Sequence, residues 1–134
     1  MTFTDNIDVK KIDVLLVEDN KENTDVISYF IKNIANVDIA VDGPAAVGKA
    51  KENAYKIILM DINLGLGMNG IEATKRIRLI PGYESTPIVA VTAYAMVGDS
   101  DIFLNAGCTH YISKPFSKQE MLDLLRKIIK HYNL

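Results

Sequence analysis

The sequence lacks the features that would place it outside the cell, in a membrane or on a nucleic acid. It has one cysteine in 134 residues, which excludes an internal disulfide and favours a reducing cytoplasm. No apolar stretch approaches the roughly 18–20 residues that span a bilayer, and the polar N-terminus has no apolar core of a secretory signal. A formal net charge of −2 provides no broad positive field for nucleic acid or an anionic membrane. We therefore expect a cytoplasmic globular protein that binds neither nucleic acid nor a membrane directly.

Short apolar segments alternate with segments of helical periodicity along the chain. The predicted strands are residues 12–17, 37–41, 56–61, 87–92 and 108–112. The predicted helices are residues 21–34 with Asn20 as N-cap, 45–53, 71–80, 97–105 and a last helix that begins with a capping box from Ser117 to Glu120. The first strand is apolar throughout rather than alternating, which is typical of a strand buried on both faces. Strands that alternate with helices predict an α/β fold with helices on both faces of a parallel sheet.

Five such units predict a flavodoxin-like (βα)5 three-layer sandwich with strand order 2-1-3-4-5. We expect one domain over residues 12–134, preceded by a short flexible lead-in at residues 1–11. The strand order reverses between strands 1 and 3, and sites form at the carboxyl ends of the strands at such a point. The residues at these two ends are Glu18, Asp19 and Asp61. The topology therefore predicts a cluster of three carboxyl groups.

Three clustered carboxylates repel one another, so the cluster favours protonation or a bound cation. Oxygen ligands without histidine or cysteine indicate a hard divalent ion, Mg²⁺ or Mn²⁺, and protein-bound Mg²⁺ typically also holds a phosphate. Two further strand ends suit a phosphate, because Thr92 brings a hydroxyl donor and Lys114 a positive charge. Each residue alone has an ordinary structural explanation, such as a helix cap or a turn. Their occurrence at the ends of four different strands predicts one phosphoryl-binding site.

Five separated segments resemble the receiver domain of two-component response regulators, in the same order and with matching spacing. They are Val14–Asn20 (VLLVEDN), Ile58–Asp61 (ILMD), Gly70–Ile77 (GIEATKRI), Pro87–Ala93 (PIVAVTA) and Tyr111–Phe116 (YISKPF). The resemblance covers about residues 12–132. It implies that Asp61 accepts a phosphoryl group from a phosphohistidine of a sensor histidine kinase or a histidine phosphotransfer protein.

The resemblance also implies roles for the other residues at the strand ends. The implied Mg²⁺ ligands, for which Mn²⁺ would serve as a substitute ion, are Glu18, Asp19, Asp61 and the backbone carbonyl of Asn63. Lys114 is implied to pair with Asp61 and then with the phosphoryl group, which the Thr92 hydroxyl and the Ala93 N–H are also implied to contact. Tyr111 is implied to act with Thr92 as a switch for a target-binding face formed by helix 4, strand 5 and helix 5. The Lys114–Pro115 peptide bond is implied to be cis.

The loop after the acceptor departs from the family pattern. Leu64–Gly67 replaces the usual Met-Pro and lengthens the spacing to Gly70 by one residue, and Asn69 replaces a frequent Asp. The positions that tune hydrolysis in the family fall on Asn63 and Tyr94. Because Tyr94 is bulky enough to shield an acyl phosphate from water, we predict slow dephosphorylation. Donor specificity is expected on the first helix and on the loop before the last helix.

Three other functions fit parts of the pattern. A phosphatase of the haloacid dehalogenase type needs a second Asp two residues after the nucleophile, where this chain has Asn63. An FMN-binding flavodoxin needs a phosphate loop after strand 1, where Glu18 and Asp19 would repel the phosphate. A pseudo-receiver that binds partners without phosphorylation would not need Thr92 and Lys114. We therefore expect a signalling phosphoacceptor rather than an enzyme with a separate substrate, and the sequence leaves open whether it stands alone or belongs to a larger regulator.

The third predicted helix carries a run of basic residues on its outer side. These residues are Lys75, Arg76 and Arg78. A nucleic-acid-binding role competes with a solvated basic face, and we favour the solvated face because the chain as a whole has no excess of positive charge.

Overall fold

The computed structural model describes residues 10–64, 67–93 and 99–134. Its strands are β1 (Ile12–Val17), β2 (Ala35–Ala40), β3 (Ile57–Asp61), β4 (Ile88–Thr92) and β5 (His110–Ser113). Its helices are α1 (Lys21–Ile31), α2 (Gly43–Glu52), α3 (Gly70–Arg78), α4 (Asp99–Ala106) and α5 (Lys118–His131). The predicted lead-in at residues 1–11 lies almost entirely outside the described residues. None of the helices in the described ranges is long and apolar enough to cross a membrane.

The five strands form one parallel sheet in the order β2-β1-β3-β4-β5, which confirms the predicted topology. Alternate residues of β1 face opposite layers, since Leu15 packs with residues of α2 and α3 while Leu16 packs with residues of α1 and α5. Both side chains are fully buried. The continuous apolar character of the strand therefore reflects burial on both faces, as predicted for a three-layer sandwich.

Helix α1 ends three residues earlier than the apolar periodicity predicted. Ile34 does not extend the helix, because its N–H donates to the carbonyl of Ile31 at 3.0 Å and its own carbonyl accepts the N–H of Ile12 at 3.1 Å. The second contact draws residue 34 toward β1, and β2 then begins at Ala35 rather than at residue 37. Pairing with the sheet thus overrides the helical stripe at this boundary.

Arg78 is not part of the solvated basic face that the sequence predicted. Its Nη1 donates to the carbonyl of Tyr83 at 2.7 Å, and its Nε and Nη2 donate to the carbonyl of Gly107 at 2.9 and 2.6 Å. Gly107 has φ +113°, and a Cβ there would lie 2.9 Å from Cγ of Arg78. The guanidinium therefore joins the end of α3 to the turn between α4 and β5. Lys75 and Arg76 are exposed, as expected.

Candidate metal and phosphoryl site

The strand register places the predicted site residues along one edge of the sheet. The last pairs of the β1–β3 and β4–β5 ladders are Val17–Met60 and Thr92–Ser113. Glu18 and Asp61 follow the first pair at the same level, and Lys114 follows the second. The N–H of Lys114 donates to the carbonyl of Thr92 at 2.7 Å, which extends the β4–β5 ladder to the edge.

Glu18, Asp19 and Asp61 form a compact cluster, with one oxygen of each carboxylate within 4.8 Å of the others. Glu18 is 1% exposed and Asp61 4% exposed, whereas Asp19 is open to solvent. The predicted convergence of these acids is therefore present. Three oxygen donors with one open side suit a hard cation that keeps part of its water shell.

Lys114 contacts two of the three acids. Its Nζ lies 3.0 Å from Glu18 Oε1 and 3.7 Å from Asp61 Oδ2. The resemblance implied a pair with Asp61, and the shorter contact is instead with Glu18. Asp61 Oδ1 accepts the backbone N–H of Asn63 at 3.0 Å, which fixes the orientation of this carboxylate. One lysine beside three carboxyl groups leaves the cluster with excess negative charge, which favours a bound cation.

Both oxygens of Glu18 have further hydrogen-bond donors from the start of α1. The backbone N–H of Asn20 donates to Oε2 at 3.2 Å, and Nδ2 of Asn23 donates to Oε1 at 3.3 Å. Burial raises the pKa of Glu18 and the adjacent Asp61 carboxyl raises it further, against the lowering effects of Lys114 and Asn20. Asn23 was not predicted as a site residue; its place in the first turn of a helix that directly follows the acidic pair is the signal that would have indicated it.

The described part of the loop after β3 packs tightly against the site. A Cβ on Gly70 would lie 2.2 Å from the carbonyl oxygen of Asp61 and 2.7 Å from Cα of Ile62, so this position requires glycine. A Cβ on Gly43 would lie 2.7 Å from Sδ of Met68, which indicates that Met68 packs against the first residue of α2. Residues 65–66 of the loop and the predicted shield Tyr94 lie outside the described residues.

The remaining predicted residues lie on or beside the last two strands. The side chain of Thr92 is buried at 1% exposure, and Ala93 after it is exposed. The Lys114–Pro115 peptide bond is cis, the isomer that the resemblance implied. Tyr111 is 48% exposed, and its ring centroid lies 6.3 Å from that of Phe103 on α4. The acids and Lys114 thus lie together at the edge, while Tyr111 faces outward.

A five-stranded parallel sheet with an acidic cluster and a lysine at its carboxyl edge defines the CheY-like class of signalling domains. The family model of the response regulator receiver domain matches residues 14–126, and the chain belongs to this family. It is a receiver domain of two-component signalling.

The relatives of this chain include histidine kinases that contain this domain. The chain is 35% identical to the signal transduction histidine-protein kinase BarA of Escherichia coli K12 over 113 residues, which are 84% of this chain and 12% of BarA. It is 42% identical to the autoinducer 2 sensor kinase/phosphatase LuxQ of Vibrio vulnificus YJ016 over 120 residues, which are 89% of this chain and 14% of LuxQ. The chain therefore spans about one eighth of the length of these relatives.

Solved receiver domains share both fold and sequence with the chain. The receiver domain of the sensor histidine kinase PA1611 from Pseudomonas aeruginosa PAO1 is 36% identical, with a TM-score of 0.82 over 90% of this chain and 99% of that domain. That structure holds a magnesium ion in its active-site cleft. The chemotaxis protein CheY4 of Vibrio cholerae is 27% identical, with a TM-score of 0.84 over 89% of this chain and 99% of CheY4.

Proposed function

We propose that the domain accepts a phosphoryl group on Asp61 from a phosphohistidine and uses the added charge to change a partner-binding surface. The observation that carries the proposal is the position of Asp61, a buried carboxylate between an acidic pair and Lys114 at the carboxyl edge of the sheet. A cation and a lysine on one carboxylate are the arrangement that phosphoryl transfer requires, because the transferred group is strongly negative.

In the proposed transfer, an oxygen of Asp61 forms a P–O bond as the P–N bond to the donor imidazole breaks. The imidazole nitrogen leaves with the bonding electron pair, and a proton on the other ring nitrogen makes the leaving group a neutral imidazole. Lys114, the Thr92 hydroxyl and the Ala93 N–H contact the phosphoryl oxygens and neutralise their charge. The hydrogen bond from Asn63 to Asp61 Oδ1 keeps the carboxylate in one orientation during the step.

The acidic cluster fits a magnesium ion, since it supplies oxygen donors on one side and solvent on the other. The residues that would hold the ion are Glu18, Asp19, Asp61 and the backbone carbonyl of Asn63, with Mn²⁺ as an expected substitute. When bound, the ion offsets charge on the phosphoryl oxygens. The magnesium reported for the PA1611 receiver domain supports this assignment.

The change of surface is proposed to run through Thr92 and Tyr111. A phosphoryl group on Asp61 attracts the Thr92 hydroxyl, and its movement leaves space into which Tyr111 turns from solvent. On β5 the Tyr111 ring is 48% exposed, and its centroid lies 6.3 Å from that of Phe103 on α4. A downstream partner that binds the α4–β5–α5 face would therefore meet an aromatic side chain whose position depends on phosphorylation.

The phosphohistidine donor is proposed to be a cytoplasmic sensor histidine kinase or a histidine phosphotransfer protein, in line with the kinases among the relatives. A cavity of about 210 Å³ adjoins the site between α1 and the segment before α5. Its lining is largely apolar and comprises Asn23, Val26, Ile27, Phe30, Lys114, Pro115 and Phe116. Because the cavity is lined by Lys114 of the site together with residues of α1 and of the segment before α5, its apolar wall is the expected docking surface for the donor.

The proposal is tested by incubating the protein with Mg²⁺ and acetyl phosphate and then measuring its intact mass. A phosphoryl adduct is expected on the wild-type chain and on Asp25→Asn, which removes an exposed carboxylate paired with Lys21. The Asp61→Asn variant is expected to give no adduct. Turnover of phosphate esters without an adduct would favour the phosphatase, and no reaction with either acetyl phosphate or a phosphohistidine protein would leave the pseudo-receiver.

A further inference from the structure

The side chain of Asn23 connects helix α1 to the most buried acid of the site. Its Nδ2 donates to Glu18 Oε1 at 3.3 Å, the same oxygen that accepts Lys114 Nζ at 3.0 Å. The backbone of Asn23 is itself fixed, because its N–H donates to Oδ1 of the N-cap residue Asn20 at 2.9 Å. Among the residues that the structure describes, Glu18 Oε1 therefore has one neutral side-chain donor, the Asn23 amide, and one charged side-chain donor, the Lys114 ammonium.

The two donors have different fates in the proposed phosphoryl transfer. Lys114 must turn from Glu18 toward the phosphoryl oxygens, which removes its hydrogen bond from a carboxylate that is 1% exposed. A buried carboxylate oxygen that is contacted by neither a hydrogen-bond donor nor a cation is costly, more so than a neutral acceptor. Asn23 remains on the same oxygen after Lys114 has moved. Because the amide carries no charge, it also adds no repulsion toward a cation in the cluster.

We infer that Asn23 is a positioning residue that holds the Glu18 carboxylate while Lys114 transfers from Glu18 to the phosphoryl group. The inference rests on the proposed function and adds to it a residue on α1 that touches neither Asp61 nor the phosphoryl group. In the resting protein Asn23 is one of two donors to Oε1, and at the moment of transfer it is the side-chain donor that stays. Its hydrogen bond therefore matters more in the transition state than in the resting state.

This difference predicts a specific pattern for the variant Asn23→Leu, which removes the donor at similar volume. In the wild-type background Lys114 still satisfies Glu18 at rest, so the resting protein loses little stability. During transfer Glu18 Oε1 then has neither Asn23 nor Lys114 as a donor, and phosphorylation by acetyl phosphate slows about tenfold, the effect of one hydrogen bond to a charged group.

In a Lys114→Ala background, Asn23→Leu is expected to affect stability rather than the phosphorylation rate. Glu18 Oε1 then lacks its donor both at rest and during transfer, so Asn23→Leu lowers the free energy of unfolding but changes the phosphorylation rate by less than about twofold. A merely structural role for Asn23 would instead produce the same rate loss in both backgrounds. The four proteins of this cycle therefore distinguish positioning from packing.

The experiment measures the acetyl phosphate rate by intact mass and the unfolding free energy by urea denaturation for all four proteins. Asn23→Gln retains an amide donor and is expected to keep the rate within about threefold of wild type. Asp25→Asn, on the same helix and in contact with Lys21 rather than Glu18, is expected to leave the rate unchanged.

The outcomes separate the two proposals. Equal rate losses in both backgrounds, or no loss in the wild-type background, would overturn the role of Asn23 while the wild-type chain is still phosphorylated. If Asn23→Gln has the unfolding free energy of wild type but is phosphorylated much more slowly, this result would also count against the role of Asn23. A wild-type chain that takes no phosphoryl group from acetyl phosphate or from a phosphohistidine protein would overturn the proposed function, and this inference with it.

Discussion

The carboxyl edge of the sheet and the segments that lead into β3 and β4 both bury polar groups, but they satisfy them in different ways. At the carboxyl edge, the carboxyl groups of Glu18 and Asp61 share Lys114. In the leading segments, Tyr55 and Tyr83 are each 4% exposed. The hydroxyl of Tyr55 donates to Asp38 at 2.7 Å, and that of Tyr83 donates to a backbone carbonyl and accepts the N–H of Tyr55 at 3.3 Å.

The difference lies in charge. Burial and the Asp38 carboxylate raise the pKa of Tyr55, which keeps the phenol neutral and a hydrogen-bond donor. Neutral groups with their hydrogen bonds made cost little to bury, whereas clustered carboxylates remain costly until a cation offsets them. The tyrosine pair, Tyr55 and Tyr83, therefore stabilises the fold. The acidic cluster instead lowers the stability of the metal-free protein and supplies oxygen ligands for the proposed cation.

The largest effect is expected when the tyrosine pair is broken. Tyr83→Ala removes a buried ring together with both hydrogen bonds of its hydroxyl, and should lower the free energy of unfolding by about 3–5 kcal/mol. Tyr83→Phe keeps the ring and leaves the Tyr55 N–H without its acceptor, at a cost of about 1–3 kcal/mol. Urea denaturation measures both. If folded Tyr83→Phe also lost its acetyl phosphate reactivity, the separation of the two regions would be wrong.

The second largest expected effect is the stabilisation of the protein by Mg²⁺ bound to the acidic cluster. Mg²⁺ at about 100 times its dissociation constant should stabilise the native protein by about 2.7 kcal/mol, because it binds the folded state alone. The gain is expected to shrink strongly in Asp19→Asn, which removes the exposed carboxylate of the cluster. Asp25→Asn provides the matched control with an unchanged gain. Thermal unfolding with and without Mg²⁺ measures this, and an equal gain in all three proteins would place the ion elsewhere.

The third effect concerns Glu18 in the metal-free protein. Its pKa is raised in the folded state, so the folded protein holds the proton more tightly than the unfolded chain does. This contribution to stability is complete below the unfolded pKa and is lost as the pH rises through the raised folded value. Glu18→Gln should remove that loss and stabilise the metal-free protein near neutral pH by roughly 0.5–2 kcal/mol.

Urea denaturation across this pH range, without metal and then with saturating Mg²⁺, checks the sign of the Glu18 effect. Without metal, the curve of Glu18→Gln should be flatter than that of wild type above the unfolded pKa. With Mg²⁺ the order should reverse, because the variant loses a ligand. A variant that is less stable than wild type at every pH without metal would show that Lys114 compensates fully for the buried charge.

The fold was predictable because its signals are local and mutually consistent. The apolar strand Ile12–Val17, the cap at Asn20 and the capping box at Ser117 each appear in the structure as predicted. Strand ends in a parallel sheet are also fixed by topology, which is why the convergence of Glu18 and Asp61 followed from the strand order. The main boundary error, at residues 32–34, arose where pairing with β1 competed with the helical stripe.

The details of the site were less predictable because they depend on side-chain directions across three elements. Lys114 and Glu18 are 96 residues apart in sequence, and no pattern indicates that Nζ lies nearer to Glu18 than to Asp61. The tyrosine pair was missed for the same reason, since isolated tyrosines in loops carry no periodic signal. Arg78 was assigned to the solvated face together with Lys75 and Arg76 because the three are close in sequence. Spacing on a helix does not show that its side chain reaches the carbonyl groups of Tyr83 and Gly107.

The smallest effect is expected for an ion pair outside both regions. On α3, Nε of Arg76 lies 3.1 Å from Oε1 of Glu72, and the two side chains are 56% and 48% exposed. A double-mutant cycle with alanine should therefore give a coupling energy of about 0.5 kcal/mol or less. Raising the salt concentration from about 0.1 to 1 M should remove this coupling, since the Debye length falls from about 10 to 3 Å. The coupling between Lys114 and Glu18 should persist at high salt, because Glu18 is shielded from mobile ions by burial. Equal salt sensitivity of the two couplings would mean that the carboxyl edge is as open to solvent as the helix surface, and its excess negative charge would then not support the proposed binding of a cation.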